Sequence, residues 1–317
     1  MTPLRGVLVT GADAPVGEWL VRALLEDTSI GHVIAVAPRP ERVALPQSAR
    51  LTVLPVELLR ERHVHDLLFG PARELGVEVI VHTATAGSAT EDGKRVHAFN
   101  VEATRALLAL CERHPTIRRF VLRSFSEVYQ IDADLPVLIA EDHPLNLSAG
   151  APQFVRDRVE ADLHACVRTG LSDLQIQVLR TAEVLAPGTG SQLFDYLESP
   201  VCFRPVGFDP MLNLLSLSDI TSALHQSVHA SAQGVFNIPG ADTLPLSLAI
   251  HKWGRASIAV PSAFMTPLYK WRTRLWGTDF RYGMNRRRFH YSGVLDGRRA
   301  REVLDYEPQH GIEWPVG

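Results

Sequence analysis

The stretch LRGVLVTGADAPVGEWLVRALLED, residues Leu4 to Asp27, decides the fold. Within it, Gly6 to Thr10 form a short apolar run rich in β-branched side chains, which is typical of a strand buried on both faces of a parallel sheet. Apolar side chains then recur at helical spacing, at Trp19, Leu20, Leu24 and Leu25. The stretch therefore predicts a strand, a tight glycine turn and a helix in immediate succession.

The turn itself carries the first functional indication. Gly11, Ala14 and Gly17 stand where dinucleotide-binding elements have three glycines, and such a turn aims backbone N–H groups and the positive helix end at a pyrophosphate. Ala14 puts a methyl group where the backbone must approach the phosphates, and Asp13 adds a negative charge, although Asp13 can equally cap the helix ahead of Pro15. A lone glycine turn can serve helix–strand packing alone, but the position of this turn between a predicted strand and a predicted helix strengthens the indication of dinucleotide binding.

The composition excludes several classes of protein. The chain has 317 residues, 46% hydrophobic and 21% charged, and a formal charge of −3, so we expect no general attraction to nucleic acid. Cys111, Cys166 and Cys202 are widely spaced and odd in number, which predicts neither a disulfide framework nor a metal site and favours a reducing cytoplasm. A leader pattern and an apolar run of membrane-spanning length are both missing from the sequence, so a cytoplasmic protein is expected.

Strand-like and helix-like segments alternate after the first helix, which predicts an α/β fold with a Rossmann-like, doubly wound parallel sheet. The predicted strands are His32–Ala37, Leu51–Val56, Val77–His82, Arg119–Arg123 and Leu174–Arg180, with helices over Leu58–Leu75 and Val96–His114. Beyond Thr181 the pattern loosens, and short strands are expected near Leu214–Leu217 and Gly234–Ile238. We predict a dinucleotide-binding domain over residues 1–180 and a smaller C-terminal substrate lobe over 181–317, partly interleaved with the sheet.

The end of the second predicted strand bears on the choice of cofactor. An acidic residue near this point binds the ribose 2′-hydroxyl in NAD-preferring units. Here Ala37 and Pro38 fill that place and Arg39 follows. A cation at this position favours NADP over NAD, although a solvated loop arginine explains Arg39 equally well.

With these segments placed, the chain resembles the extended short-chain dehydrogenase/reductase family, of the NAD-dependent epimerase/dehydratase type, nearly end to end. The motifs that carry the resemblance are TGADAPVG (Thr10–Gly17), EVIVHTA (Glu78–Ala84), FNVEAT (Phe99–Thr104), FVLRSFSEVY (Phe120–Tyr129), EDHPLN (Glu141–Asn146), VLRTAEVLAPGTG (Val178–Gly190), LLSLSDI (Leu214–Ile220) and LDGRRAREVLDYEP (Leu295–Pro308). The cofactor contacts that it implies are Gly11, Ala14, Pro15, Val16 and Gly17 at the pyrophosphate, Glu57 and Leu58 near the adenine, Ala84 and Asn100 along the cofactor, and Thr181 beside the nicotinamide, where the family usually has proline.

The family's reaction needs a tyrosine that exchanges a hydroxyl proton, a lysine four residues later and a serine or threonine on the fifth strand. The lysine binds the nicotinamide ribose and lowers the pKa of the phenol, ordinarily near ~10, so that it can act at neutral pH. The matching positions hold Phe154, Arg158 and Phe125. The resemblance thus implies lost hydride chemistry, with Arg158 still able to hold ribose hydroxyls. Glu127 matches the acid of family dehydratases and is a candidate substitute, although isolated acids are usually structural.

Residues 264–290, FMTPLYKWRTRLWGTDFRYGMNRRRFH, interleave aromatic side chains with seven cations and one acid, Asp279. This mixture favours peripheral docking to an anionic membrane or an acidic partner. The alternative is a helix and loop of the second lobe with its aromatics packed inward and its arginines solvated. The resemblance also implies a homodimer through helices that include the segment around Phe154.

Three functions remain open. The preferred one is an NAD(P)-binding pseudoenzyme that acts as a binder, sensor or scaffold, and the two phenylalanines favour an apolar small molecule as its second ligand. The second is an active NAD(P)-dependent oxidoreductase or epimerase with unconventional catalytic residues. The third is a membrane- or partner-docking module without cofactor, which Asp13 and Ala14 suggest.

Overall fold

The structure, a computed structural model, describes residues 3–276 and 279–315. Its strands, in chain order, are β1 (Leu4–Thr10), β2 (Ile30–Val36), β3 (Leu51–Leu54), β4 (Val77–His82), β5 (Arg119–Phe125), β6 (Leu138–Ile139), β7 (Gln175–Thr181), β8 (Glu183–Val184), β9 (Val201–Pro205), β10 (Met211–Leu215), β11 (Gly234–Ile238), β12 (Asp242–Pro245), β13 (Ala256–Val260) and β14 (Val294–Leu295). Its helices are α1 (Pro15–Glu26), α2 (Glu61–Leu67), α3 (Lys94–His97), α4 (Ala103–Cys111), α5 (Gln153–Cys166), α6 (Gln192–Leu197), α7 (Leu217–His229), α8 (Leu246–Lys252), α9 (Ser262–Trp276), α10 (Tyr282–Asn285) and α11 (Arg298–Leu304).

Seven of these strands form one parallel sheet in the order β11-β7-β5-β4-β1-β2-β3. Helices α1 and α7 pack on one face of the sheet, and α2 and α4 pack on the other, with α5 beside α4. Because both faces are covered, the central strands are near-continuous apolar runs, as at Val7, Leu8 and Val9 of β1. The predicted α/β fold with a doubly wound parallel sheet is confirmed.

The predicted strands of the first half lie within two residues of β2, β3, β4, β5 and β7 at each end. The two predicted long helices are each interrupted by a π-helical turn, at Leu68–Ala72 after α2 and at Ala98–Glu102 between α3 and α4. The expectation that Gly234–Ile238 belongs to the smaller lobe is wrong. This segment is β11, which pairs in parallel with β7 and buries Phe236 and Ile238 at the edge of the main sheet.

Three small sheets build the second lobe: β12-β10-β8, β13-β9 and β14-β6. An aromatic cluster forms its core, with rings 4.9–5.7 Å apart in the pairs Tyr196–Phe289, Tyr196–Phe280, Tyr269–Phe280 and Tyr269–Tyr282. Four of these five rings come from the 264–290 segment, so the inward-packing alternative holds for them. The side chain of Trp276 and residues Gly277 and Thr278, which belong to that segment, lie outside the described residues.

Within the described part of the chain, no helix has both the length and the apolar character needed to cross a bilayer.

Candidate functional site

The glycine turn owes two of its glycines to the packing of the fold itself. A Cβ at Gly11, whose φ is +72°, would lie 2.7 Å from the backbone nitrogen of Ala84, and one at Gly17 would lie 2.2 Å from the carbonyl oxygen of Gly11. Both distances are too short for any other residue. Ala14, at φ −113° and ψ 154°, has ordinary extended backbone. The two retained glycines are therefore explained without a ligand, and the replaced one is the glycine that serves close phosphate approach.

A cleft of about 850 Å³ lies beyond the carboxyl ends of β1, β2, β3 and β4, where open α/β sheets bind ligands. Six of the predicted cofactor contacts line it: Gly11, Ala14, Arg39, Glu57, Leu58 and Ala84. Sequence reasoning missed Glu91 and Arg95, which also line the cleft. The Arg95 guanidinium lies 4.0 Å from the carboxylate of Glu57, so the adenosine end of the cleft carries charges of both signs.

The remaining predicted contacts lie around this cleft rather than on its surface. Val16 and Gly17 are buried in the first turn of α1. Asn100 is buried behind the cleft wall, where its Oδ1 accepts hydrogen bonds from the Ala86 backbone N–H at 2.8 Å and the Thr85 hydroxyl at 3.3 Å. Asn100 thus fixes the loop after β4, which forms one side of the cleft.

Arg158 and the two phenylalanines at the family's reactive positions form one compact cluster. Phe154 and Arg158 are four residues apart on α5 and so share a helix face, which meets Phe125 at the end of β5. The Arg158 guanidinium carbon lies 3.7 Å from the ring centre of Phe125 and 3.8 Å from that of Phe154. The guanidinium donates to Glu127 Oε1 at 2.6 Å and to the Gly190 carbonyl oxygen at 3.2 Å. The side chains of Arg158 and Glu127 are only 3% and 8% exposed, so this ion pair is largely buried.

Two further arginines and a second carboxylate surround this pair. Arg123 lies 4.7 Å from the Phe125 ring and donates to the carbonyl oxygen of Thr189, while Arg288 lies 3.8 Å from Glu183. Burial lowers the pKa of Arg123 to about 9, and burial together with the charge of Glu127 raises the pKa of Glu183 to about 7.

The pKa of Glu127 is shifted in the opposite direction from that of Glu183. Burial raises its pKa, but the charges of Arg158, Arg288 and Arg123 outweigh burial, and the net pKa lies below its ordinary value. Glu127 is therefore ionised at neutral pH and is a poor proton donor.

The loop after β8 closes on the cleft beside this cluster. A Cβ at Gly188 would lie 3.3 Å from Cγ of Pro15, and a Cβ at Gly190 would lie 3.1 Å from the carbonyl oxygen of Gly87. Thr181 is buried nearby and donates from its hydroxyl to the Ser124 carbonyl oxygen at 3.0 Å. The loop after β8 thus packs closely against the glycine turn and the loop after β4, at the end of the cleft where the nicotinamide was predicted.

A second cavity, of about 590 Å³, lies between the lobes on the other side of Phe154. Its wall is largely polar and includes Glu127, Asn146, Gln192, Asn285, Arg287 and Arg288. Phe154 lines this cavity, whereas Phe125 does not.

A buried polar network holds the loop after β5 in place. Arg180 donates to both oxygens of Asp162, at 2.6 and 3.0 Å, and to the hydroxyl of Tyr129 at 3.0 Å. That hydroxyl in turn donates to Oδ1 of Asn237 at 2.7 Å. Burial raises the pKa of Tyr129 to about 12, so its phenol is a structural group and not a proton shuttle.

Comparison with known proteins identifies the family. A model of the NAD dependent epimerase/dehydratase family matches residues 7–152. Uncharacterised proteins of Mycobacterium tuberculosis and Mycobacterium bovis are 32% identical to the chain over 311 residues, which cover 96% of this chain and 80% of theirs. The chain belongs to the NAD-dependent epimerase/dehydratase family.

Solved structures of this kind share the fold. UDP-glucuronic acid 4-epimerase from Bacillus cereus in complex with NAD is 18% identical with a TM-score of 0.70, over 96% of this chain and 94% of that one. dTDP-glucose 4,6-dehydratase from Bacillus anthracis in complex with NAD is 19% identical with a TM-score of 0.70, over 98% and 93%. An epimerase from Methanothermobacter thermautotrophicus is 15% identical with a TM-score of 0.73, over 99% and 90%.

The residues that sequence reasoning missed in the cluster are Arg123, Glu183 and Arg288. The sequence could have indicated Arg123, because it is a charged residue inside a predicted buried strand. Since it stands two positions before Phe125, its side chain lies on the same face of the strand as that of Phe125. No sequence pattern indicated Glu183 or Arg288, since they reach the cluster from distant parts of the chain.

Proposed function

We propose that this chain is a member of the epimerase/dehydratase family that binds an adenine dinucleotide without carrying out hydride transfer, and that it acts as a ligand binder, sensor or scaffold. The observation that carries the proposal is the position of Arg158, stacked between Phe125 and Phe154 and ion-paired with Glu127. In place of a mobile cation beside a phenol, the chain has a cation fixed by two rings and a carboxylate.

The alternative of an active oxidoreductase needs a proton donor that can reach a substrate. Glu127 is ionised and bound to Arg158, which argues against it. Glu183 has a pKa of about 7, a suitable value for acid–base chemistry, but the cavity that it lines measures only about 30 Å³. Such a space holds one or two water molecules and excludes a substrate.

Dinucleotide binding is supported by the cleft of about 850 Å³ and by the NAD bound in solved structures that share this fold. Two of them were solved with NAD, and a tyrosine-to-phenylalanine mutant of the Bacillus cereus epimerase was solved with NAD and a fluorinated UDP-sugar. Loss of a tyrosine is thus compatible with ligand binding on this fold. Since loop 186–190 lies over the nicotinamide side, we expect the adenosine and phosphate groups to supply most of the affinity.

The second cavity suits a polar ligand better than the apolar one predicted from the two phenylalanines. Its wall holds two cations, Arg287 and Arg288, and two carboxylates, Glu127 and Asp132, and the side chains of Gln192 and Asn285 add amides. A polar ligand with many hydroxyl groups, such as a nucleotide sugar, fits this lining, and two structural neighbours were solved with UDP-glucuronic acid.

The predicted preference for NADP depends on Arg39, which lines the cleft. The neighbours solved with NAD give the NADP preference no support, so it needs a direct binding test. If Arg39 binds the 2′-phosphate, Arg39→Ala weakens NADP and NADPH binding while NAD binding stays the same. Equal effects on both pairs end the NADP assignment.

Calorimetric titration with NAD, NADH, NADP, NADPH and ADP tests the proposal as a whole. We expect binding of at least one dinucleotide, with ADP retaining most of its affinity, and no oxidation or reduction of bound cofactor in the presence of UDP-sugars. Turnover by the unmodified protein refutes the proposal, and failure of all five ligands to bind leaves a module without cofactor.

Restoration of the family residues is a second test. Phe125→Ser, Phe154→Tyr and Arg158→Lys reinstate the three reactive groups, but Glu127 would still attract the new lysine away from the ribose. The variant should therefore also carry Glu127→Gln. Activity in the quadruple variant alone favours descent from an enzyme.

A docking role is the second candidate function, and α9 favours it. Phe264, Trp271 and Leu275 are each more than half exposed and lie seven and four residues apart on one helix face, flanked by exposed Lys270 and Arg274. This arrangement suits an anionic lipid surface.

The arginine cluster at 286–288 is a poor probe of this role, because Arg287 pairs with Asp132 and Arg288 faces Glu183. Cosedimentation with phosphatidylserine vesicles should instead compare the unmodified protein with the Lys270→Glu/Arg274→Glu variant. Equal, salt-insensitive sedimentation ends the membrane proposal.

A further inference from the structure

Two histidines and a carboxylate converge at the end of α1 opposite the glycine turn. His225 and His229 are four residues apart on α7, so their rings project from the same face, and that face packs against α1. The Nε2 atoms of His225 and His229 lie 3.0 and 2.8 Å from Oδ2 of Asp27, the residue that follows α1.

Asp27 is held in place by a neighbour that leaves this oxygen to the histidines. The backbone N–H and hydroxyl of Ser29 both donate to Oδ1 of Asp27, at 2.8 and 2.6 Å. One carboxylate oxygen is therefore used to orient the group, and the other faces the two imidazoles. Metal-binding carboxylates are oriented in this way by hydrogen bonds from outside the ligand set.

We propose that Asp27, His225 and His229 bind a divalent transition-metal ion, with Zn²⁺ as the natural candidate. Imidazole and carboxylate ligands suit Zn²⁺, Co²⁺ and Ni²⁺ rather than Mg²⁺ or Ca²⁺, and two histidines four apart on a helix are a recurrent zinc-binding arrangement. Neighbouring ligands of a tetrahedral Zn²⁺ ion with bonds of about 2.0–2.1 Å lie about 3.3 Å apart. The 2.8 and 3.0 Å separations at Asp27 are hydrogen-bond distances, which an ion between these groups would lengthen by a few tenths of an ångström; all three candidate ligand atoms already lie within 4.8 Å of one another.

The surroundings leave room for an ion to enter and for water to complete its coordination. His225 is 26% exposed and borders an open cavity of about 550 Å³, which Glu26 and Ser222 also line. Arg119 is a cation close enough to act on His229; its guanidinium donates to the carbonyl oxygen of Val228 and to the Gln175 side chain. Glu26 offers a compensating negative charge at the cavity.

The site is separate from the dinucleotide cleft. The twelve residues of α1 place its two ends about 18 Å apart, with the glycine turn at one end and Asp27 at the other. A bound ion would link two helices whose ligands are about 200 residues apart in sequence. The role of the bound ion would therefore be structural, since it would hold α1 and α7 together. The sequence prediction of no metal site considered the cysteines and overlooked the spacing in HQSVH, residues 225–229.

Calorimetry on the untagged, chelator-treated full chain tests the assignment, with ZnCl₂, CoCl₂ and NiCl₂ as probes and MgCl₂ as the negative control. We expect one equivalent of Zn²⁺, Co²⁺ or Ni²⁺ to bind and, above its Kd, to raise the melting temperature with the logarithm of the free ion concentration. His225→Gln and Asp27→Asn should abolish binding, and Ser29→Ala should weaken it by about 10- to 100-fold.

His310 provides the matched control, since its Nδ1 lies 3.0 Å from Asp219 in a pair that lacks a second histidine. His310→Gln should leave the stoichiometry and affinity unchanged. His225 is partly exposed, so its variant is expected to fold, and circular dichroism checks this. Absence of Zn²⁺ binding, or equal binding by the unmodified protein and His225→Gln, overturns the proposal and leaves a hydrogen-bonded link between the helices.

Discussion

Replacement of Arg158 by methionine tests whether this residue stabilises the fold or serves a ligand. The substitution keeps an unbranched side chain of similar length but removes the charge that faces Glu127 at 2.6 Å and the stacking between Phe125 and Phe154. Removal of one partner of a buried ion pair costs about 3–5 kcal/mol, because the other charge stays buried without compensation. Arg123 and Arg288 still face Glu127, which lowers this cost, while the lost cation–π contacts, worth up to about 2 kcal/mol each, raise it.

We therefore expect Arg158→Met to lower the free energy of unfolding by about 3–5 kcal/mol, out of a total of about 5–15 kcal/mol for a native protein. Urea unfolding followed by circular dichroism measures the change as a lower midpoint with an unchanged slope. Arg156→Met is the matched control, because Arg156 lies exposed on the same helix; its side chain donates to the Ala151 carbonyl oxygen, so its replacement should cost no more than about 1 kcal/mol.

The double variant Arg158→Met/Glu127→Gln should recover part of the loss, since the uncompensated charge is then also removed. Contacting groups of this kind couple by about 0.5–3 kcal/mol in such a cycle. The reasoning is refuted if Arg158→Met unfolds within about 1 kcal/mol of the unmodified protein and yet loses dinucleotide binding. Arg158 would then be a cofactor ligand, as the family resemblance implies for its position.

Three further predictions concern Glu183 and the glycine turn. The pKa of Glu183 is raised from 4.5 to about 7, so the folded protein holds this proton more tightly than the unfolded chain, and the free energy of unfolding falls as pH rises from 4.5 to about 7. Glu183→Gln should remove this part of the pH dependence in urea unfolding. Parallel plots of unfolding free energy against pH for the two proteins would contradict the prediction. Ala14→Gly removes the methyl group at the phosphate position, so calorimetry should give a lower Kd for the dinucleotide at a stability cost of about 1 kcal/mol or less, and an unchanged Kd opposes the pyrophosphate assignment. Gly17→Ala, whose Cβ would lie 2.2 Å from a carbonyl oxygen, should cost more than about 4 kcal/mol or abolish soluble expression, whereas Gly283→Ala, which meets open space, should be nearly neutral.

The sequence alone determined the features that depend on short stretches of chain. The apolar run of β1, the glycine turn and the amphipathic helix after it are local patterns, and each was readable because a strand or helix follows from the spacing of its own residues. The order of the motifs identified the family resemblance, and the register of FVRDR assigned Phe154 and Arg158 to the reactive positions. The sequence also predicted the β11 strand itself, but assigned it to the smaller lobe, because only its pairing with β7 joins it to the main sheet.

Tertiary structure decided what the substituted residues do. Phe125 and Glu127, Arg158, and Gly190 come from three segments of the chain, and no local pattern states that the Arg158 guanidinium would contact the other three residues. The pairing of Asp27 with His225, 198 positions later, is equally invisible in the sequence. Such contacts arise when helices and strands pack around a common sheet, since packing brings distant segments within hydrogen-bond reach and excludes the water that would otherwise separate their charges.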